Sequence, residues 1–141
     1  MIRAVLAVVT AALVVPVSAE AALSFAFDRA QARPGQLVRA YQADVDGNPV
    51  PAWGIGSFDA ASVTIYLVRL NAPNGRRIEL GPMQVDDRGV WSIGFRVPKV
   101  RRGLYTTAFF CPPCGNTFFA STLPGTRWSG KPGGRVLRIR A

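Results

Sequence analysis

The sequence predicts an all-β sandwich, and three observations lead to that prediction. Apolar and polar residues alternate with a period of two in several segments of the chain, as they do in strands with one buried face. No apolar stripe with the period of an α-helix reaches helical length. The segments between the alternating runs carry Pro, Gly, Asn and Asp, the residues that reverse a chain. We therefore expect one domain of antiparallel sheets packed face to face.

The clearest strand runs from Val90 to Val97. Its alternation predicts one buried face, made of Trp91, Ile93, Phe95 and Val97. Trp91 is therefore expected in the core. The apolar phase of Leu80 does not continue to Met83, and Gly81-Pro82 lies at the change, which predicts a bulge or a kink.

Further strands are predicted where alternation recurs between turn signals. The candidates are residues 23–27, 37–41, 62–70, 104–110, 118–121 and 135–140. Together with the strands around 78–85 and 90–97, these give about 7–9 strands, the number of a sandwich. Asp44-Val45-Asp46-Gly47-Asn48 resembles a calcium loop only in its alternating oxygens, so a plain turn is favoured and no metal site is expected.

Residues 1–19 have the three-part layout of an export signal. Arg3 precedes a mainly apolar run over 4–17, which is shorter than the roughly 20 residues of a membrane-spanning helix. Cleavage after Ala19 is favoured, with Ala21 as the alternative. We predict a signal peptide at 1–19, a sandwich domain at 20–141 without a membrane span, and a secreted product that is free or cell-wall associated. A retained anchor is the less favoured alternative.

The composition bears on the class of partner and on catalysis. The chain has 17 Lys and Arg against 8 Asp and Glu, a balance that favours anionic partners, although a GC-rich genome also enriches arginine. It has no histidine, which removes the commonest general base and metal ligand. We therefore expect no enzyme activity and no cofactor.

Short motifs give the sequence a resemblance to a known group of domains. They are Pro34-Gly35-Gln36, Asp87-Arg88-Gly89-Val90-Trp91-Ser92, and Val97-Pro98 followed by Gly103-Leu104-Tyr105. Over most of residues 30–141 the sequence resembles bacterial immunoglobulin-like and carboxypeptidase-regulatory-like β-sandwich domains, and it is similar to uncharacterised actinobacterial exported proteins. The resemblance implies an immunoglobulin-like sandwich with a structural tyrosine corner at Tyr105, whose hydroxyl would bond back to the backbone. It implies a fold and a location, not an activity.

The cysteine pair Cys111-Pro112-Pro113-Cys114 has several interpretations. A local disulfide is favoured, because export leads to an oxidising compartment. Redox catalysis would need a helix that begins at the motif, and the residues that follow Cys114 do not predict one. A metal would need four ligands, which only a dimer could supply. Two further alternatives remain, namely that the cysteines stay free or that they form disulfides between chains.

The segment after the cysteines combines aromatic and basic side chains. The candidate ligand-binding residues are Phe118, Phe119, Arg127, Trp128 and Lys131. Such residues can stack on rings and hold anions, but partly buried phenylalanines and a solvated arginine face are the favoured interpretation. We expect a secreted non-enzymatic binding or structural module whose loops, residues 111–134, contact an anionic cell-wall polymer, a glycan or a protein. The alternative is an extracytoplasmic thiol–disulfide redox protein that uses Cys111 and Cys114. Nucleic acid is a less favoured partner.

Overall fold

The computed structural model describes residues 24–51, 60–72, 75–113, 118–120 and 126–141, and for 118–120 it describes the backbone only. The predicted signal peptide, residues 1–19, lies outside the described residues. No helix within these ranges is long and apolar enough to cross a membrane.

The described residues form strands and one short 3-10 turn, Ala60–Ser62. In chain order the strands are β1 Phe25–Phe27, β2 Gln31–Ala32, β3 Leu37–Gln42, β4 Thr64–Arg69, β5 Ile78–Pro82, β6 Gln84–Val85, β7 Trp91–Arg96, β8 Gly103–Phe110, β9 Phe118–Ala120 and β10 Leu137–Ile139. The strands predicted from alternation are present, with bounds that differ by a few residues. Alternation did not predict β2.

The strands pair into two sheets, so the predicted all-β sandwich is confirmed. The first sheet has the order β1-β3-β7-β6, and all its pairs are antiparallel. The second has the order β2-β10-β8-β4-β5, and β9 also pairs with β8. Along one edge of β8, β10 lies beside its first residues and β9 beside its last. One pair of the second sheet departs from the antiparallel pattern, because β2 runs parallel to β10.

Aromatic side chains from both sheets form the core. Phe25 of the first sheet meets Phe109 of the second edge to face, with ring centroids 5.8 Å apart. Phe27 and Phe95 make a similar contact at 6.4 Å. Such pairs add to the free energy of burying the rings. Trp91 is 6% exposed and belongs to this core, as alternation predicts.

The predicted bulge is present at the end of β5. Ile65 pairs with Gly81 while its neighbour Tyr66 pairs with Glu79, so Leu80 is the extra residue. The chain then leaves the second sheet, and Met83, which is buried, leads into β6 of the first sheet. The phase change in the sequence therefore marks the point where the chain passes from one sheet to the other.

The acidic loop after β3 is the plain turn that the sequence analysis favours. One carboxylate oxygen of Asp44 accepts hydrogen bonds from the backbone N–H groups of Asp46 and Asn48, at 2.9 and 3.0 Å. The turn before β7 repeats this arrangement, since Asp86 accepts from the N–H groups of Arg88 and Val90, both at 2.9 Å. Both aspartates thereby satisfy backbone donors that a turn leaves without a partner.

The segment before β10 covers the edge of the first sheet. The N–H of Phe27 donates to the carbonyl of Gly134 at 2.9 Å, and the N–H of Gly133 donates to the carbonyl of Phe27 at 2.8 Å. These bonds use groups of β1 that an open edge would leave unpaired. Arg135 continues the contact, because its guanidinium donates to the Ser24 hydroxyl and to the Asp44 carbonyl.

Gly47 lies against this segment with no room for a side chain. Its φ is +82°, and a Cβ built on it would lie 2.4 Å from the carbonyl oxygen of Gly133. The Tyr41 hydroxyl donates to the Gly47 carbonyl at 2.6 Å and keeps the loop in this position. The loop after β3 and the segment before β10 are therefore in backbone contact.

We expect Gly47→Ala to lower the free energy of unfolding by clearly more than Gly35→Ala. Both glycines have similar positive φ, but a Cβ at Gly35 would meet nothing within 4 Å. The loss for Gly35→Ala thus measures the cost of placing a side chain at positive φ, about 1 kcal/mol. The additional loss for Gly47→Ala measures the close contact with Gly133. Chemical denaturation measures both. Equal losses would show that the loop moves away from Gly133 without cost.

Candidate functional site

Four arginines line an open cleft at one end of the second sheet, which we call the arginine cleft. Its volume is about 470 Å³. The arginines are Arg33, Arg102, Arg138 and Arg140, and the remaining lining residues are Gly103, Ile139 and Ala141. No aspartate or glutamate lines it. The cleft therefore has the composition of a site for anions.

The pairing of three strands brings these arginines together. β10 lies between β2 and β8, and Ile139 pairs with Ala32 on one side and with Gly103 on the other. Continuing this register by one position places three arginines side by side, namely Arg33, Arg140 and Arg102. Arg138 lies two residues before Arg140 and projects from the same face of the strand.

No ion pair within the described ranges uses any of these four guanidinium groups. The ion pair found there joins Arg88 to Asp86 at 3.5 Å, in the turn before β7. Like charges held close together raise the local positive potential, and a bound anion lowers that repulsion. The cleft therefore favours anionic ligands even though it is open to solvent.

Trp128 is the predicted ligand-binding residue that lies next to this cleft. Its indole N–H donates to the Ala30 carbonyl at 2.8 Å, and the same carbonyl accepts from the N–H of Arg138 at 3.0 Å. The Arg138 guanidinium carbon lies 4.8 Å from the centroid of the Trp128 ring, a cation–π contact. Trp128 therefore orients an arginine of the cleft and holds its own segment against β2.

The other predicted ligand-binding residues do not line the arginine cleft in the described part of the chain. Arg127 and Lys131 are exposed, and neither is among the cleft residues. The backbone of Phe118 and Phe119 pairs with β8, in agreement with the strand predicted at 118–121. The side chains of these two phenylalanines lie outside what the structure describes.

Sequence reasoning missed Arg33 and Arg102. Arg33 precedes the turn at Pro34-Gly35, and Arg102 precedes Gly103, where β8 begins. Neither arginine lies near residues 138–140 in the sequence. A strand of two residues such as β2 has no detectable period. Arg138 and Arg140 are the two cleft arginines that lie close together in the sequence.

Tyr105 has the contacts that a tyrosine corner requires. It is 3% exposed, and its hydroxyl donates to the Arg101 carbonyl at 2.5 Å. The Arg69 guanidinium carbon lies 5.5 Å from its ring centroid. The bond holds the start of β8, and with it Arg102, in the position where the arginine cleft forms.

We expect Tyr105→Phe to lower the free energy of unfolding by about 1–2 kcal/mol, because the Arg101 carbonyl loses its hydrogen-bond partner. Arg101→Ala is the matched control, since the acceptor is a backbone oxygen that this substitution keeps. Urea denaturation compares the two variants. A larger loss for Arg101→Ala would contradict the role given to the Tyr105 hydroxyl.

Trp128→Phe is expected to lower the free energy of unfolding by about 1 kcal/mol, because phenylalanine has no N–H for the Ala30 carbonyl. Arg127→Ala, at the neighbouring exposed position, is expected to leave the thermal midpoint unchanged. Thermal unfolding followed by circular dichroism measures both variants. Equal midpoints for the two would show that the indole bond adds no stability.

Cys111 follows β8 directly, and its side chain is fully buried in the core. Pro112 and Pro113 form a turn, and no helix follows within the described residues. A redox cysteine needs an accessible thiolate, which this position does not offer. No cysteine within the described ranges is free. Cys114 lies outside those ranges, so the disulfide between the two stays a prediction.

Comparison with known proteins identifies no family. No protein-family model matches the chain, and no curated protein matches it. Among solved structures, the chain is similar to the filamin domain of Lin-41, with 14% sequence identity, 84% of this chain and 94% of that chain covered, and a TM-score of 0.37. At these values the likeness does not bear on function, and the sandwich architecture rests on the two sheets of the chain itself.

Proposed function

We propose that this protein is a secreted, non-enzymatic binding module whose arginine cleft holds an anionic group of a cell-wall polymer, a glycan or a protein. The observation that carries the proposal is the row of guanidinium groups at the end of the second sheet, with no carboxylate side chain in the lining. Uncompensated arginines at three adjacent strand ends have no role in packing the core.

The chemistry of the cleft suits oxyanions. A guanidinium group is planar, stays charged and presents several N–H donors in a fork that matches carboxylate, sulfate or phosphate. Guanidinium groups from separate strands can each contact a different oxygen of one group, or neighbouring groups of one polymer. The open shape of the cleft suits an anion attached to a larger molecule.

The Trp128–Arg138 contact links the cleft to the segment that the sequence analysis proposes for binding. Arg127 and Lys131 flank Trp128 and add positive charge beside the cleft. A polymer that enters the cleft could thus meet these cations as a second zone of contact. Such contacts at the rim of a site affect the association rate more than the final affinity.

Arg33→Gln and Arg140→Gln are each expected to weaken binding of a fluorescent heparin oligosaccharide roughly fivefold, the effect of about 1 kcal/mol. Arg76→Gln is the matched control: it removes the same charge from an exposed position that does not line the cleft. Fluorescence anisotropy at constant ionic strength measures all three. An equal loss for Arg76→Gln would show that net charge alone attracts the probe and would overturn the proposal.

The same titration separates a nucleic-acid partner from the proposed one. We expect a single-stranded oligonucleotide to bind no more tightly than heparin of similar charge, and both affinities to fall with added salt because counterions are released. Much tighter binding of the oligonucleotide, retained by Arg33→Gln, would place nucleic-acid recognition elsewhere on the protein.

A further inference from the structure

A second cleft, which we call the polar cleft, lies on the outer face of the first sheet. Its volume is about 530 Å³. Side chains of β3 and β7 form its floor, namely Arg39, Tyr41 and Ser92. Its walls are the loop at 46–49, the turn at 86–90 and Pro132-Gly133. No residue that lines the arginine cleft also lines the polar cleft.

The floor of the polar cleft is held in place by hydrogen bonds. The Arg39 guanidinium donates to the Ser92 hydroxyl at 3.0 Å, and Asp28 accepts from the N–H of Arg39 at 2.9 Å. Ser92 is 5% exposed, although alternation places it on the solvent face of β7. The residues around the cleft cover it, which explains the difference.

The walls of the polar cleft are also held in place by contacts within the protein. The loop at 46–49 rests on Gly133 through Gly47 and is held by the Tyr41 hydroxyl. The turn at 86–90 is held by Asp86, whose pKa lies below its usual value chiefly because the N–H of Val90 donates to it. A cleft formed before its ligand arrives loses little entropy on binding.

The charges in the polar cleft nearly balance. Its lining holds three carboxylates, those of Asp28, Asp46 and Asp86, and two guanidinium groups, those of Arg39 and Arg88. Burial raises the pKa of Tyr41, with the charges of Asp28 and Asp44 adding to the effect, so its phenol is neutral. An anion would meet the carboxylates, and a cation would meet the arginines. A neutral ligand avoids both penalties.

The lining of the polar cleft offers hydrogen-bond donors, acceptors and apolar surface. Asp28 and Asp46 offer carboxylate oxygens, whereas Asn48 and the two arginines offer N–H groups. Pro49, Val90 and Pro132 add apolar surface. A sugar ring presents hydroxyls that both donate and accept, together with C–H faces, and the cleft volume falls in the range of small-molecule sites.

We propose that the polar cleft binds a neutral saccharide, with Asp28 and Asp46 accepting hydrogen bonds from its hydroxyls and Arg39 and Asn48 donating to them. This function is separate from that of the arginine cleft, since the two lie on different sheets. Asp46 is the best residue to test, because its carboxylate is exposed and none of the hydrogen bonds that hold the loop uses it.

The test is an NMR titration of the protein with four neutral disaccharides, namely cellobiose, maltose, trehalose and diacetylchitobiose. We expect at least one of them to shift the amide signals of Gly47, Ser92 and Gly133 in a saturable manner. Asp46→Asn should weaken that binding about tenfold, because it replaces a charged hydrogen-bond acceptor with a neutral and weaker one. Asp87→Asn is the matched control, because Asp87 is exposed in the same turn as Asp86 but does not line the cleft.

Other outcomes would overturn the proposal. Binding of aminated chitobiose or of a uronic acid disaccharide, with no neutral disaccharide bound, would show a site for charged ligands. The absence of shifts with every neutral probe, or equal losses for Asp46→Asn and Asp87→Asn, would show that the cleft is not a saccharide site. Arg33→Gln should leave the titration unchanged, so failure of the arginine cleft is distinguishable from failure of the polar cleft.

Discussion

The last segment of the chain holds both sheets, and much of the structure depends on that contact. Gly133 and Gly134 hydrogen-bond to the edge of β1 in the first sheet, and a few residues later β10 pairs with β2 and β8 in the second. Each backbone hydrogen bond contributes about 1 kcal/mol to the free energy of folding. Together they close an edge of one sheet, complete the other, and bring the loop at Gly47 into position.

The two clefts differ in their balance of charge. Three aspartates and two arginines line the polar cleft on the first sheet, whereas four arginines and no aspartate or glutamate line the cleft at the end of the second. The excess of positive charge in the composition is therefore not spread evenly over the surface. A charge distribution of this kind gives the molecule one more positive end, and that end attracts an approaching anion most strongly.

Alternation and turn residues predicted much of the fold, because both are local properties. The buried face of β7, the bulge before Met83 and the turn at Asp86 follow from the few residues around them. The parallel pairing of β2 with β10 joins segments more than 100 residues apart, and no local pattern encodes it. The arginine cleft depends on that pairing, so no local pattern in the sequence brings its four arginines together. The burial of Ser92 was not predicted for a similar reason, because the loops that cover it are distant in the sequence.

The arginine row has a spacing set by the sheet itself. Adjacent strands lie about 4.8 Å apart, so the three strand ends that carry Arg33, Arg140 and Arg102 span only about 10 Å, one Debye length at 0.1 M salt. Three positive side chains therefore start from backbone positions that lie within about one Debye length of one another, so salt screens their mutual repulsion only in part. If the proposed anionic partner is a polymer, this backbone spacing favours one whose charges repeat at a similar distance.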